Sequence, residues 1–360
     1  MTILQVCAFG SEYPGNFIAS LEALEAELQK KGIQTIYAFV DRAKDKDWCK
    51  KIQQRTKVYF LPEAKARILP ATYRAFRRIY RENDIDIMHS HFELYDIPAT
   101  IMAPKKTNIF WHLHDPVTRQ RSLRGILWQI QYGVVGKRAT LLSVAEKYRD
   151  VVVSMGFPKD QTYFLPNSIN LERVRTQHPF CEKKYQFLTF GWDFFRKGDD
   201  IILAACDRLE KEGYRFRLLL NGNAQTWPQL NEHLAGKKPD YLVTGDPVED
   251  INELFDASEL FIQASRRETF SYAVCEAAYA GLPVISSDIP GLEWAHKLPT
   301  VSFFQSEDVV GLYRLMKSFL DNTCEISADA AKQTQEIIAN QYSLRVWVDH
   351  VIKHYGIEAK

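Results

Sequence analysis

Arg266–Gly291 reads RRETFSYAVCEAAYAGLPVISSDIPG. It decides the fold because it holds one complete step from helix to strand. Pro283-Val-Ile-Ser-Ser is a short apolar run of the kind that forms a strand covered on both faces. Gly281 ahead of it supplies a helix stop, so the spacing predicts a helix from Phe270 to Gly281. Glu268 then stands just before that helix and Glu276 lies within it. Eight steps at helical rise span roughly 12 Å. Carboxylate pairs that cleave glycosidic bonds stand about 5–9.5 Å apart. The wider span suits a ligand with a sugar at each end and phosphates between. The N–H groups near Phe270 and Ser271, at the positive end of the helix, would meet the phosphates.

The same strand–helix rhythm runs outward in both directions. ILQVCAF is a buried strand, GSEYPGN a turn, and Phe17, Leu21, Leu24 and Leu28 keep helical spacing up to Gly32. IQTIYAFV, KVYFL, IDIMHSH, NIFWHL and ATLLSV follow as strands, with helices near 71–82 and from about 95, 124 and 146. The rhythm breaks at YFLPNSINLERVRTQHPFCEKKY, where Pro166, Asn167 and Pro179 mark a linker. A second series begins at YQFLTFG and passes through RFRLLLNG, YLVTG and ELFIQAS to LPVISS, with helices from about 198, 249 and 271. Alternation of this kind predicts parallel sheets with helices on both faces, and ligands beyond the carboxyl ends of the strands.

Composition excludes several other classes. The chain has 360 residues, 46% hydrophobic and 25% charged, with a formal net charge of +1. That is ordinary globular composition, with nothing that calls for a nucleic-acid partner. The N-terminus lacks the features of a signal peptide, and no apolar run reaches membrane-spanning length. Six scattered cysteines (Cys7, Cys49, Cys181, Cys206, Cys275 and Cys324) fit reduced thiols and a cytoplasmic location. Charge is divided unevenly. Residues 1–165 carry 25 basic against 17 acidic side chains, or +8, and the remainder 21 against 28, or −7. Residues 71–82 place Tyr73, Phe76, Ile79 and Tyr80 on one helix face and Arg74, Arg78 and Arg81 on another. That face is either simply solvated or drawn to an anionic membrane surface bearing a lipid-linked acceptor.

Three strand-to-helix loops of the second half bear the chemistry. Gly191-Trp-Asp-Phe-Phe-Arg-Lys-Gly198 sets Arg196 and Lys197 near a helix start, where they can hold phosphate oxygens. The loops at Asn221 and Gly245 either offer backbone groups to a nucleobase or only turn the chain. The third is the opening stretch.

Glu268-Thr-Phe-Ser followed by Glu276-Ala and Gly281-Leu-Pro-Val-Ile resembles the signature of the retaining glycosyltransferases of family 4 (glycosyl transferases group 1). Asp86-Ile-Met-His-Ser-His91, Trp111-His-Leu-His-Asp115 and Leu165-Pro-Asn-Ser-Ile-Asn170 resemble further family segments in the same order. The resemblance implies a GT-B fold, two doubly wound Rossmann-like domains facing a central cleft. The N-terminal domain would be 1–168, the C-terminal one 169–340, and the final helix, 341–360, would cross back onto the first. By the resemblance Glu268 contacts the donor sugar, Glu276 the ribose, and Lys197 the diphosphate. Arg196, Thr269, Phe270, Ser271, Gly191, Asn221 and Gly245 complete the donor side. Gly15, Asn16 and His91 lie on the acceptor side, and His114 faces the donor sugar. Three segments depart from the pattern: Trp192 stands where the family has arginine, Thr269 and Ser271 replace two glycines, and Pro14-Gly15-Asn16 replaces a glycine pair.

His89, His91, His112 and His114 alternate on two strands and share a face, with Asp115 close by. They form a metal cluster, or else His89 and His112 are buried, satisfied imidazoles; zinc-type spacing is absent, and no metal is expected. The expected activity is retaining transfer from a nucleotide-diphosphate sugar, with UDP the expected nucleotide, and no cofactor. The acceptor would be a glycan or a lipid-linked glycan of cell-surface polysaccharide or glycoconjugate synthesis. The protein would be cytoplasmic, with reversible contact to the inner face of the membrane. A catalytically weak nucleotide-sugar-binding subunit and a nucleotide-sugar epimerase are the alternatives.

Overall fold

The computed structural model describes residues 1–117, 123–176, 183–322 and 327–357. Pro179, Cys181 and Cys324 fall outside them. Two units divide the chain: Met1–Ser168 with Leu344–Lys360, and Ile169–Ser343.

The first unit alternates β1 (Thr2–Cys7), α1 (Gly15–Lys30), β2 (Gln34–Val40), α2 (Asp47–Arg55), β3 (Val58–Leu61), α3 (Pro70–Glu82) and β4 (Ile87–His91). It continues with α4 (Asp96–Met102), β5 (Asn108–Leu113), α5 (Leu123–Val135), β6 (Ala139–Ser143), α6 (Glu146–Ser154) and β7 (Thr162–Phe164). The seven strands lie in the order β3-β2-β1-β4-β5-β6-β7, all parallel. The order reverses between β1 and β4, which places the loops of Gly15 and of His91 at a switch point.

The second unit comprises β8 (Tyr185–Phe190), α7 (Phe194–Lys197), α8 (Asp199–Lys211), β9 (Leu218–Asn221), α9 (Thr226–Leu234), β10 (Leu242–Gly245) and α10 (Asn252–Asp256). It is completed by β11 (Ser258–Gln263), α11 (Tyr272–Ala280), β12 (Val284–Asp288), β13 (Val301–Gln305), α12 (Val309–Leu320) and α13 (Ala328–Tyr342). Its parallel sheet runs β10-β9-β8-β11-β12-β13. Successive residues of one strand feed opposite faces. Phe187, Leu218, Leu260 and Ile285 join one apolar cluster, and Leu188, Leu219, Phe261 and Val284 join the other. Both faces are therefore covered, which is why these strands read as continuous apolar runs. The chain closes with α14 (Leu344–His354), whose Trp347, Val348, Val351 and Ile352 pack into the core of the first unit.

α2, β7, β13, α12 and α13 are not read from the sequence. α2 buries only Trp48, Cys49 and Ile52, and β7 and β13 are short edge strands with partly exposed side chains. α11 begins at Tyr272 rather than Phe270, because Ser271 takes a left-handed φ of 57° and caps the helix from outside. Among the described residues no helix is long and apolar enough to cross a membrane.

Candidate active site

In the second sheet the strand order reverses between β8 and β11, so the loops after these strands flank a crevice of the kind that receives ligands. Lys197 comes from the first loop and Glu268 from the second. They meet: Lys197 Nζ lies 2.6 Å from Glu268 Oε1, with side chains 15% and 10% exposed. The same oxygen accepts from Ser265 Oγ at 2.9 Å and Gln263 Nε2 at 3.1 Å. Arg196 Nη1 stands 3.7 Å from it, while Arg196 Nε donates to Asp193 at 2.9 Å. The arginine beside Lys197 is thus shared between the loop's own N-cap residue and Glu268.

Backbone conformation sets this meeting. Gly198 has φ 72° and ends α7. A Cβ there would lie 2.8 Å from the Ala264 carbonyl carbon, and closer still to its oxygen. Gly291, at φ 89°, passes equally close to the Glu268 carbonyl, 2.7 Å from its carbon. Only glycine lets these segments touch. Gly198→Ala is therefore expected to push the Lys197 loop off β11, costing at least about 1 kcal/mol from the left-handed backbone alone and weakening nucleotide binding at the same time. Thermal melts with and without UDP check this; an unchanged melting temperature and an unchanged UDP-induced shift would contradict it.

Ser271 Oγ accepts from Val274 N, so the α11 N–H groups without an intrahelical acceptor are those of Tyr272 and Ala273. This moves the anion-facing end of the helix two residues beyond Phe270. The Phe270 side chain is buried, stacked on Trp294 at 4.7 Å, and its carbonyl accepts from the Trp294 indole at 2.7 Å. Its part is to seat the loop. Glu276 sits one turn into α11, 4% exposed, with Arg173 Nη1 3.5 Å away. Gly191, Asn221 and Gly245 line up at the carboxyl ends of three neighbouring strands. Gly191 N donates to the Asn221 carbonyl, Gly222 N to the Gly245 carbonyl, and Asn221 Nδ2 to the Asp246 carbonyl. Thr269 adjoins Gly291. Trp192 is 48% exposed, so the position where the family has arginine presents an indole to solvent. Asp199, at the start of α8, is buried beneath Gly191 with neither carboxylate oxygen hydrogen-bonded, and burial raises its pKa.

In the first unit, Gly15 (φ 54°) opens α1 and Asn16 is buried behind it. The four histidines form one stack of rings with centroids 4.1–5.5 Å apart. His91 is fully buried with both nitrogens engaged: Nδ1 with His114 Nε2 at 3.1 Å and Nε2 with Gln5 Oε1 at 2.9 Å. Both of its ring nitrogens are thus taken up within the first unit. His114 Nδ1 is 3.0 Å from Asn167 Oδ1, so His114 must release a partner to contact a sugar. The expectation of satisfied imidazoles for His89 and His112 is corrected. His89 Nδ1 meets the Tyr355 hydroxyl at 2.6 Å, but its Nε2 and both nitrogens of His112 have no hydrogen bond. The Leu165 backbone favours the charged form of His112 slightly, from outside hydrogen-bond geometry.

His89, His91 and His112 bring ligand atoms within 4.8 Å of one another. Because the His91 nitrogens are occupied, only two of the three rings offer a lone pair, fewer than the three or four protein ligands zinc takes. Burial depresses the pKa of all four rings, that of His114 to about 3 despite its bond to Asn167.

Gln263, Ser265, Arg173, Gln5 and Tyr355 complete these sites without having been singled out in the sequence, where Asn167 stands only as a linker marker and within a family segment. Only the polar Gln263 and Ser265 at the end of the apolar ELFIQAS run carry a local signal.

Two parallel sheets, each with polar residues gathered at its switch point, make up the GT-B arrangement of glycosyltransferases. Residues 20–173 match the family described as Glycosyltransferase Family 4, and residues 185–322 match Glycosyl transferases group 1. The chain belongs to this family. Anabaena Alr3699/HepE, solved in complex with UDP-glucose, superposes with a TM-score of 0.80 at 15% identity over 99% of each chain. A glycosyltransferase from Rickettsia africae gives 0.79 at 16% identity, over 98% of this chain and 97% of that one. At such identities the likeness shows the fold. Among curated proteins, the alpha-galactosylglucosyldiacylglycerol synthase of Streptococcus pneumoniae is 20% identical over 75% of this chain and 79% of its own length. The lipopolysaccharide glucosyltransferase WaaG of Escherichia coli is 31% identical over 42% of this chain and 40% of its own.

Proposed function

We propose that this glycosyltransferase moves a sugar, with retention, from a nucleoside diphosphate sugar held by the second unit to a glycan or lipid-linked acceptor held by the first. The observation that carries the reading is the Lys197–Glu268 contact at the switch point, with Glu276 one helical turn into α11. Lys197, Arg196 and the Tyr272 and Ala273 N–H groups take the diphosphate, Glu276 the ribose, and Glu268 the sugar hydroxyls. The bond from the anomeric carbon to the phosphate oxygen breaks as the acceptor oxygen bonds to that carbon on the same face. The acceptor proton passes to the departing phosphate oxygen. Charge then accumulates on the diphosphate, where Lys197 is already in place. No protein nucleophile, resident metal or further cofactor enters this scheme. UDP is the nucleotide we favour, given the UDP-glucose complex of the Anabaena neighbour. The two curated relatives, by name a glycolipid synthase and a lipopolysaccharide glucosyltransferase, favour a lipid-linked acceptor.

Incubation with UDP-glucose and other UDP-sugars, followed by proton NMR, tests the reading. Release of UDP with a product or hydrolysed sugar of the donor's anomeric configuration is expected, and activity should survive a chelator. Inversion would refute retention, and loss of activity restored by one added metal would refute metal independence.

Membrane contact belongs to the same reading. α3 buries Phe76 and Ile79 and exposes Arg74, Arg78 and Arg81, although Glu82 lies 3.9 Å from Arg78 and offsets part of its charge. α5 exposes Ile126, Ile130 and Val134 at intervals of four. Each basic side chain near an anionic surface contributes about 1 kcal/mol. We expect sedimentation with anionic vesicles at low salt and release at high salt. Changing the three arginines to Glu should abolish sedimentation and leave UDP binding intact. Indifference of the unaltered protein to such vesicles would favour a soluble acceptor.

A further inference from the structure

A buried file of hydrogen bonds runs through the first unit from Asn167 to His114, His91, Gln5, Tyr355 and His89. Its members come from β1, β4, the residue that follows β5, the segment after β7 and the residue that follows α14. Every contact lies between 2.6 and 3.1 Å, and every residue of the file is buried.

A proton count constrains this file. Asn167 and Gln5 both turn an amide oxygen toward a ring nitrogen, at 3.0 and 2.9 Å. An oxygen at each end, with one ring–ring hydrogen bond between, requires three N–H hydrogens on His114 and His91 together. Two neutral rings carry two. Both rings are buried, and burial holds them neutral. One of the two amides must therefore present its NH2 group instead.

Each choice propagates along the whole file. If Gln5 turns, its NH2 donates to His91 Nε2 and its oxygen accepts from the Tyr355 hydroxyl. Tyr355 accepts from His89 Nδ1, and the file ends on a His89 Nε2 lone pair. On the other side His91 Nδ1 donates to His114 Nε2, and His114 Nδ1–H points at Asn167. If Asn167 turns instead, every bond reverses, and the file ends on a His89 Nε2–H with no acceptor in a fully buried place. A sealed N–H without a partner is rarer and costlier than an unfilled acceptor.

We propose that Gln5, held by Tyr355, acts through His91 to fix His114 as the Nδ1–H tautomer, so that His114 meets the transferred sugar as a hydrogen-bond donor. Gln5, His91 and Tyr355 are positioning residues. The tautomer assignment stands on the proton count; its consequence for transfer rests on the proposed role of His114. Release of Asn167 frees Nδ1–H for a sugar hydroxyl oxygen, whereas the reversed file would offer a lone pair there.

The test is 15N NMR of the full chain labelled at histidine, with His114→Gln used to assign the resonance, because protonated and unprotonated ring nitrogens are well separated. Nδ1 of His114 should be the protonated nitrogen. Asn167→Asp, which only accepts, should retain that state. Gln5→Glu, which accepts where a donor is needed, should move the proton to Nε2 or leave the ring pair with one extra proton. It should lower kcat at least 10-fold with little change in donor KM. Tyr355→Phe, should Gln5→Glu fail to fold, removes the group that orients Gln5 and should give a mixture of tautomers. Nε2–H in the unaltered protein, or a single Nδ1–H form in every variant, would overturn the proposal. A tautomer change with unaltered kcat would uphold the relay and instead remove His114 from the proposed transfer site.

Discussion

Lowering the pH from 7 to 5 is expected to unfold the first unit before the second. His89, His91, His112 and His114 are buried there, and their pKa values are depressed by burial, with the neighbouring rings adding repulsion for three of them. In the unfolded chain each titrates near 6.5. Below that pH the unfolded state binds four protons that the folded unit excludes, so the stability they contribute is present above about 6.5 and is lost as the pH falls. Asp96 opposes them. It is buried against Ser90 with its pKa raised to about 7, so the folded unit keeps a proton that the unfolded chain releases above about 4. The pKa of His354 in the same unit is depressed too, so the unfolded chain binds the greater number of protons, and each proton of the difference costs about 1.4 kcal/mol of stability per pH unit. Whole domains are stable by about 5–15 kcal/mol. In the second unit the buried carboxyl of Asp199 also has a raised pKa and so acts in the stabilising sense as the pH falls. His112→Leu removes a ring with no hydrogen bond. It should leave stability at pH 7 unchanged or higher and move the acid midpoint down. Near-ultraviolet dichroism, with proton uptake measured by potentiometric titration, reads both effects. Uptake of less than one proton on unfolding between pH 6 and 5 would contradict the account.

Replacing Lys197 by Ala should act on turnover and on stability by separable routes. Losing a preorganised charge at a leaving group costs about 10²- to 10³-fold in kcat. It also takes the nearest cation from Glu268, 10% exposed, whose contacts with Ser265 and Gln263 and the 3.7 Å approach of Arg196 remain. Breaking a buried pair on one side costs about 3–5 kcal/mol. For a unit of this size about 3 kcal/mol corresponds to a fall of roughly 6–12 °C in melting temperature. In the Lys197→Ala, Glu268→Gln double variant the stranded charge is gone. Stability should recover while turnover stays low. A double variant as unstable as Lys197→Ala would show that the contact is not the cause of the loss.

What the sequence reveals follows from how local each signal is. β8, β9, β11 and β12 are covered on both faces, so each carries a short apolar run, Phe187-Leu188, Leu218–Leu220, Leu260–Ile262 and Val284-Ile285, that announces itself. α2 keeps only three buried side chains among nine residues, and β7 and β13 lie at sheet edges, so their patterns are weak. The carboxylates of the opening stretch and the Arg196–Lys197 pair were legible because each lies in one short loop. What they touch was not. Arg173 reaches Glu276 from the connection ahead of the second sheet, and Gln5 bonds Tyr355 across 350 positions. The left-handed turn at Ser271 was equally hidden, because a serine in that conformation leaves no mark in composition.

The central claim is that the second unit holds a nucleoside diphosphate between Lys197 and Glu276. Calorimetric titration of UDP into the intact protein and into Glu276→Ala tests it most directly. The account predicts one saturable site, weakened about 10- to 150-fold in the variant by loss of a charge-assisted hydrogen bond to the ribose, with the fold preserved by circular dichroism. Absence of saturable binding by UDP and by the other nucleoside diphosphates, or equal affinity in the two proteins, would contradict it.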